Sequence, residues 1–465
     1  MRILLLCILL TAFVIRIYHL NYNTAFLDEA QYITVGLHIL RGEFEIGTGA
    51  LSWVGGYPFM FPVFTAALYN AGGIVASRFF TVVLGTASVF LMYQFTKQLM
   101  FFKDKKTNQK AGLIAAAFMT VTAAAIITSR SAIYDGLAFP LFLLGTVLFH
   151  KAVYSGEKRL YLIAAVVLFL SFLAKYVVLM FFPLLLLIPI ILTIKMKSVE
   201  CLKGIFFSFC LPLILLTSLY VGYNFVELKD FFIDQGVVSK ARQGDIARTF
   251  FEYTGFGYLL FFSSMILLWR NAKFLLVLLL LFSFIPLVIH SLTSNSDSIQ
   301  QHTVFALLFI LPAVGAGFAA ILHKHKKTGI IVTALALIIQ VLITLPQVKS
   351  AESFWPNITE SANAIRENLE PSDRVLAESD DTMYLELKDN IPREQISGPF
   401  VFSYNGKEGL HAYTEAIENK YFHFVQIDGT YFSEGDIKSL EKTLSKGYRK
   451  IFDKGTLRAF EVNSD

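Results

Sequence analysis

Apolar stretches of about twenty residues, the length that crosses a bilayer as a helix, recur along the first three quarters of the chain and then stop. They fall at roughly 3–19, 74–99, 111–129, 136–150, 160–175, 177–194, 204–222, 257–269, 274–290, 303–322 and 329–346. The pattern predicts a polytopic α-helical membrane protein with about eleven transmembrane helices. After Pro346 the rhythm changes. Helical periodicity at 357–369, 409–419 and 434–446 alternates with strand-like runs at Arg374–Glu378, Phe422–Ile427 and Leu457–Val462. That alternation predicts a small α/β domain over 347–465, following a membrane domain over 1–346.

The polar gaps between spans are of two kinds. Lys103-Asp104-Lys105-Lys106 with Lys110, Lys151 with Lys158 and Arg159, Lys195 with Lys197 and Lys203, Arg270 with Lys273, and His323 to Lys327 fall on alternate loops. All of them face the cytoplasm if the N-terminus is inside. An odd number of spans then carries the C-terminal domain to the extracytoplasmic side. The remaining connections, 20–73, 129–135, 223–256 and 291–302, share the outer face. Met1 to Tyr18 lacks a small-x-small cleavage site and reads as an uncleaved first helix.

Composition agrees. The 465 residues are 55% hydrophobic and only 16% charged, with mean hydropathy +0.58, where a soluble domain carries about 25% charge. A net charge of +5, with its basic residues in loops beside spans, gives no nucleic-acid signature. Cys7, Cys201 and Cys210 form neither a disulfide framework nor a metal spacing.

Candidate chemistry gathers on the outer connections. Asp28 and Glu29 follow the first span and open an amphipathic helix, with Ile33, Leu37 and Leu40 at helical spacing. Asp28 with Gln31 has the spacing of a capping pair, so Asp28 is either a cap or an acid held beside an aqueous cavity. The turn Ser129-Arg130-Ser131-Ala132-Ile133-Tyr134-Asp135 puts Arg130 and Asp135 at the membrane edge, as bridged helix ends or as functional groups. Lys175 ends a span, as a snorkelling lysine or a cation for a lipid phosphate. Lys240, Arg242 and His302 add positive or titratable groups on the same side. Acids and cations converging on one face suit an anionic lipid carrier and a hydroxyl that must lose a proton.

The order of these motifs resembles the GT-C glycosyltransferases, in particular the protein O-mannosyltransferases and the bacterial aminoarabinose transferases of lipid A. The resemblance runs through Leu27-Asp28-Glu29-Ala30, Tyr57-Pro58, Ala76-Ser77-Arg78-Phe79, Ser129 to Asp135 and Leu173-Ala174-Lys175, roughly residues 1–200. The later spans match in layout and the C-terminal domain in position. The resemblance implies a sugar donor on a polyprenyl monophosphate, transfer on the non-cytoplasmic face, and a glycan, lipid or protein acceptor, in contact with membrane lipids. It implies Asp28 as the acid that activates the acceptor, Glu29 as its neighbour in an acidic pair, Arg130 and Asp135 as the arginine and acid of the second outer loop, and Lys175 as a recurrent lysine. Tyr57, Lys240, Arg242 and His302 are candidate substrate contacts. Where many relatives carry Lys-Pro-Pro this chain has Gly56-Tyr57-Pro58, and where they carry Arg-Tyr it has His302-Thr303. A monophosphate leaving group beside these cations needs no cofactor, although two adjacent acids could also hold a divalent ion. A ligase or polymerase using lipid-diphosphate donors, a transporter of lipid or glycan, and a membrane-anchored protein that binds partners through the C-terminal domain are the competing readings.

Overall fold

Glycine and threonine decide where the long apolar helices break. The computed structural model describes residues 1–183, 187, 199–237, 241–296, 298–399 and 402–463. It divides into two units, Met1–Leu20 with His38–Lys349, and Asn21–Leu37 with Ser350–Asp465.

In the first unit α1 (Arg2–Ile17) is followed, past α2 (Leu27–Leu40) and the short α3 (Phe44–Ala50), by α4 (Phe61–Gln98). α4 leaves helical geometry at Gly72 and Gly73, the latter at φ +63°, just before the expected start of the second span. α5 (Lys105–Val121) and α6 (Ala123–Arg130) were expected as one span and are instead two helices bent by 62°. Thr122, at the break, is extended, and its hydroxyl donates to Phe118 O at 2.7 Å. α7 (Tyr134–Ser155) and α8 (Lys158–Ala174) follow.

Beyond them lie helical stretches at Val199–Tyr223, Gln243–Thr293, Ile299–Lys324 and Lys326–Ser353. Six helices among the described residues are long and apolar enough to span a membrane, seven if α5 and α6 form one broken span. α1 and α8, with 16 and 17 residues, fall just below that length. Part of the 177–194 stretch lies outside the described residues.

The core of this unit is the Ile299–Lys324 helix. Every residue from His302 to Ala319 is buried. Its Gly315 approaches α5 so closely that a Cβ would lie 2.3 Å from Ala111 O, the small-residue packing typical of helices in lipid. Phe305 and Phe309 stack on Phe181 at 5.5 and 6.0 Å.

The second unit is built on a five-stranded sheet in the order β2 (Ile396–Ser397), β1 (Val375–Ala377), β5 (Phe424–Ile427), β7 (Leu457–Val462), β6 (Tyr448–Lys454). β1 runs parallel to both β2 and β5, while β7 is antiparallel to β5 and β6. β1 and β5 are buried throughout, as strands covered on both faces must be. Helices at Thr359–Arg366, Asp380–Leu387, Gly409–Glu418 and Glu434–Leu444 accompany the sheet, and β3 (Ser403–Tyr404) with β4 (Lys407–Glu408) makes a small hairpin. The segment Asn21–Leu37 is an integral part. Asn23 Nδ2 donates to Trp355 O at 2.5 Å, Thr24 Oγ1 to Pro356 O at 3.1 Å, and Thr382 Oγ1 to Ala25 O at 3.0 Å.

Candidate active site

Lys175 owes its position to the end of the helix that carries it. α8 stops at Ala174, and Lys175 is extended (φ −154°, ψ 119°) before a 3₁₀ turn at Tyr176–Phe181. The extended backbone lets two distant segments pair. Tyr57 N–H donates to Leu173 O at 2.7 Å, and Tyr176 N–H donates to Gly55 O at 2.9 Å. Gly56 lies between these bonds because no side chain fits: a Cβ would sit 2.4 Å from Ala174 O and 2.9 Å from the Tyr134 ring. Lys175 is left 6% exposed, and its ammonium donates to Asp135 Oδ2 at 2.8 Å.

Asp135 is fully buried in the first turn of α7. Its other oxygen, Oδ1, faces His302 Nε2 across 3.8 Å, beyond hydrogen-bond reach. Neither atom has a hydrogen-bond partner among the described residues. A second histidine fixes the proton positions. His290 Nδ1 lies 2.6 Å from the Asn295 carbonyl, which can only accept, so this nitrogen is the donor. Neutral His290 then offers Nε2 to His302 Nδ1, 2.8 Å away. In neutral His302, Nε2 is therefore an acceptor, and like Asp135 Oδ1 it is left without a donor among the described residues. Tyr57 borders this region through its backbone bond, with its ring edge-on to Tyr220 at 5.7 Å. Tyr220 OH in turn lies 2.6 Å from Tyr176 OH.

Arg130 ends α6 and is buried. It donates to Tyr18 O at 2.8 Å and His19 O at 3.2 Å. Arg78 likewise donates to Leu20 O at 2.9 Å, and Arg16 to Met119 O and Thr120 O at 3.2 and 3.3 Å. These buried arginines satisfy carbonyls that helix ends leave open. Arg242 is exposed and supplies the carbonyl that closes the first turn of the Gln243–Ser283 helix. Lys240 lies outside the described residues.

Asp28 and Glu29 belong to the second unit, and the two acids have different surroundings. Glu29 folds back on the start of α2: its fully buried carboxylate accepts the Phe26 N–H at 3.1 Å. Asp28 is half-buried. It joins Asp380, Asp428 and Asp381 in raising the Tyr431 phenol, whose main burden is burial.

These acids gather where the parallel strands end. Glu378, just after β1, accepts backbone N–H bonds from Asp428 and Gly429 at 2.8 and 2.7 Å and from Tyr431 and Phe432. Burial and Asp428 nevertheless hold its carboxyl above the ordinary range. Asp381 is pushed up to about 6, by burial first and by Asp380 in addition, against the pull of Arg393. Arg393 bridges both, 2.6 Å from Asp380 and 3.1 Å from Asp381.

Sequence reasoning missed His290, Arg16, Glu378 and this acidic run. Their signals were a histidine and an arginine inside apolar spans, and the stretch Glu378-Ser379-Asp380-Asp381 directly after a strand.

No family profile and no curated protein matches the chain. Solved structures do. ArnT from Cupriavidus metallidurans bound to undecaprenyl phosphate superposes with a TM-score of 0.63 at 12% identity, over 98% of this chain and 97% of that one. Its apo form gives 0.62 at 10% identity. The oligosaccharyltransferase AglB from Archaeoglobus fulgidus, in complex with an inhibitory peptide and a dolichol-phosphate, gives 0.54 at 13% identity over 98% of this chain and 73% of that one. Both are members of the GT-C superfamily. The chain has the GT-C fold. The six or seven long apolar helices among the described residues make it an integral membrane protein.

Proposed function

We propose that the protein is a glycosyltransferase that moves a sugar from a polyprenyl-phosphate carrier to an acceptor hydroxyl on the non-cytoplasmic face of the membrane. The observation that carries the reading is the likeness of nearly the whole chain to ArnT with undecaprenyl phosphate, joined to a buried ion pair with unsatisfied acceptors beside it. In this reading α1, α8, the 177–194 stretch and a second crossing within Gln243–Thr293, which leaves helical geometry at Ala272, complete a set of about eleven spans.

An acceptor hydroxyl attacks only as it loses its proton, and a positioned base contributes about 10²–10⁴-fold. Asp28 is that base, and Glu29 holds the turn that presents it. The hydroxyl oxygen bonds to the anomeric carbon as the bond to the carrier phosphate breaks, with inversion and with the electron pair leaving on phosphate. Lys175 opposes the charge that develops there, while Asp135 holds its ammonium in place. Asp135 Oδ1 and His302 Nε2 accept hydroxyls of the sugar. Arg130 positions the end of α1 for the carrier, and Tyr57, Lys240 and Arg242 complete the substrate contacts.

The test is transfer from labelled polyprenyl-phosphate sugars by the purified protein beside Asp28→Asn. A loss of about two decades of rate in the variant supports the base role. Equal rates return Asp28 to a structural residue. Turnover of a lipid-diphosphate donor alone moves the ligase or polymerase reading ahead.

A further inference from the structure

A cavity in the first unit lies far from Asp135 along the Ile299–Lys324 helix. Its volume is about 1090 Å³, and it opens between the end of α4, the turn before α5, Arg270 and the end of the Ile299–Lys324 helix. His302 and His323 sit 21 positions apart on that last helix, about 32 Å at 1.5 Å per residue. This matches the roughly 30 Å hydrocarbon core of a bilayer. The cavity therefore belongs to the membrane face opposite the Asp135–Lys175 pair.

Four fixed cations line it: Lys97, Lys103, Lys105 and Arg270. None of them forms an ion pair among the described residues. The single carboxylate among its described lining residues, Asp104, is committed to its own helix. It accepts from Lys106 N–H at 3.1 Å, Thr107 N–H at 3.0 Å and Thr107 Oγ1 at 2.6 Å. The Thr107 hydroxyl and these amides hold its carboxyl below the ordinary range, so it stays ionised and engaged rather than neutralising the lysines by contact.

The frame is built. Asn108 grips Phe102 through both its amide groups, at 3.1 and 2.6 Å. Thr107 Oγ1 lies 3.5 Å from His323 Nδ1, joining the turn to the central helix. Gln98 Oε1, on the cavity wall, is buried with no hydrogen-bond partner among the described residues. Met100 and Phe102 add apolar surface beside the cations, Met100 being 55% exposed.

We propose that this cavity is a second ligand site, for a phosphate-ester anion, and that its occupant is the headgroup of an anionic phospholipid of the leaflet it opens toward. Unpaired cations over a partly apolar floor match a phosphodiester on a glycerol backbone, and basic pockets between helices at a membrane face are the arrangement that selects such headgroups. The site is independent of sugar transfer and stands whether or not the proposed activity is found.

The test uses the full-length protein in detergent, with phosphatidylglycerol, phosphatidylcholine and inorganic phosphate as probes and native mass spectrometry as readout. Wild type is expected to retain phosphatidylglycerol at least about tenfold more tightly than phosphatidylcholine. Lys103→Gln/Lys105→Gln/Arg270→Gln loses that preference, Arg270→Gln alone loses part of it, and the control Lys158→Gln/Arg159→Gln, on a different loop, keeps it. Equal lipid retention by the triple variant and wild type overturns the proposal, as does an equal loss in the control. Binding of inorganic phosphate with no preference between the two lipids overturns the lipid assignment.

Discussion

Lys175 and Asp135, 40 residues apart in sequence, meet as a buried ion pair with Nζ 2.8 Å from Oδ2. Removing one partner strands the other charge, at a cost of about 3–5 kcal/mol, whereas removing both often costs far less. Lys175→Met is therefore expected to destabilise the protein more than Lys175→Met/Asp135→Asn does. Thermal unfolding of the purified variants measures this, and a double variant no more stable than the single one refutes the pairing.

Gly55 and Gly56 are adjacent and face opposite expectations. A Cβ at Gly55 meets nothing closer than 3.8 Å, while one at Gly56 meets the Ala174 carbonyl at 2.4 Å. Because that neighbour is backbone, Gly56→Ala must shift the pairing that holds Lys175, at a cost of about 1–3 kcal/mol. Gly55→Ala is expected near wild type. Melting temperatures and transfer rates of the two variants check the contrast.

Asp28 and Glu29 should separate cleanly in kinetics. Asp28→Asn is expected to lower turnover by about two decades with little change in stability. Glu29→Ala removes the acceptor of the Phe26 N–H and is expected to cost about 1 kcal/mol, as lost caps do, while retaining most of the turnover. The reverse pattern would make Glu29 the base.

The Asp381 carboxyl stands at about 6 in the folded unit, above its ordinary value near 3.9. The folded state thus binds this proton more tightly than the unfolded state does. The resulting stability is present in full below about pH 4 and is lost as pH rises through about 6. Asp381→Asn cannot ionise and should flatten that part of the profile. Exchange protection of the β1 amides, corrected for intrinsic rates between pH 4 and 7, measures it. An unchanged profile in the variant counts against Asp381 as the source.

The C-terminal elements were legible because local pattern dictates them: Leu457–Val462 and the helices at Gly409–Glu418 and Glu434–Leu444 lie where periodicity put them. β6 escaped because an edge strand carries charges, and Tyr448-Arg449-Lys450-Ile451-Phe452-Asp453-Lys454 reads as solvated coil. Membership of Asn21–Leu37 in the second unit rests on contacts such as Thr382 to Ala25, 357 positions apart, and no local signal encodes these. The joining of Asp135, Lys175 and His302 was legible only as shared membrane depth. The competing commitment of Arg130 to the Tyr18 and His19 carbonyls was not legible, since a guanidinium for phosphate and one for a helix end look alike in sequence.

The two hydrogen bonds that join Gly55–Tyr57 to Leu173–Tyr176 involve no side chain. Apart from Gly56, the first loop can therefore exchange residues over evolutionary time without displacing the ammonium of Lys175. Such mounting on main chain separates the electrostatic centre from the side chains of the loop beside it, so those side chains can be retuned while the centre stays in place.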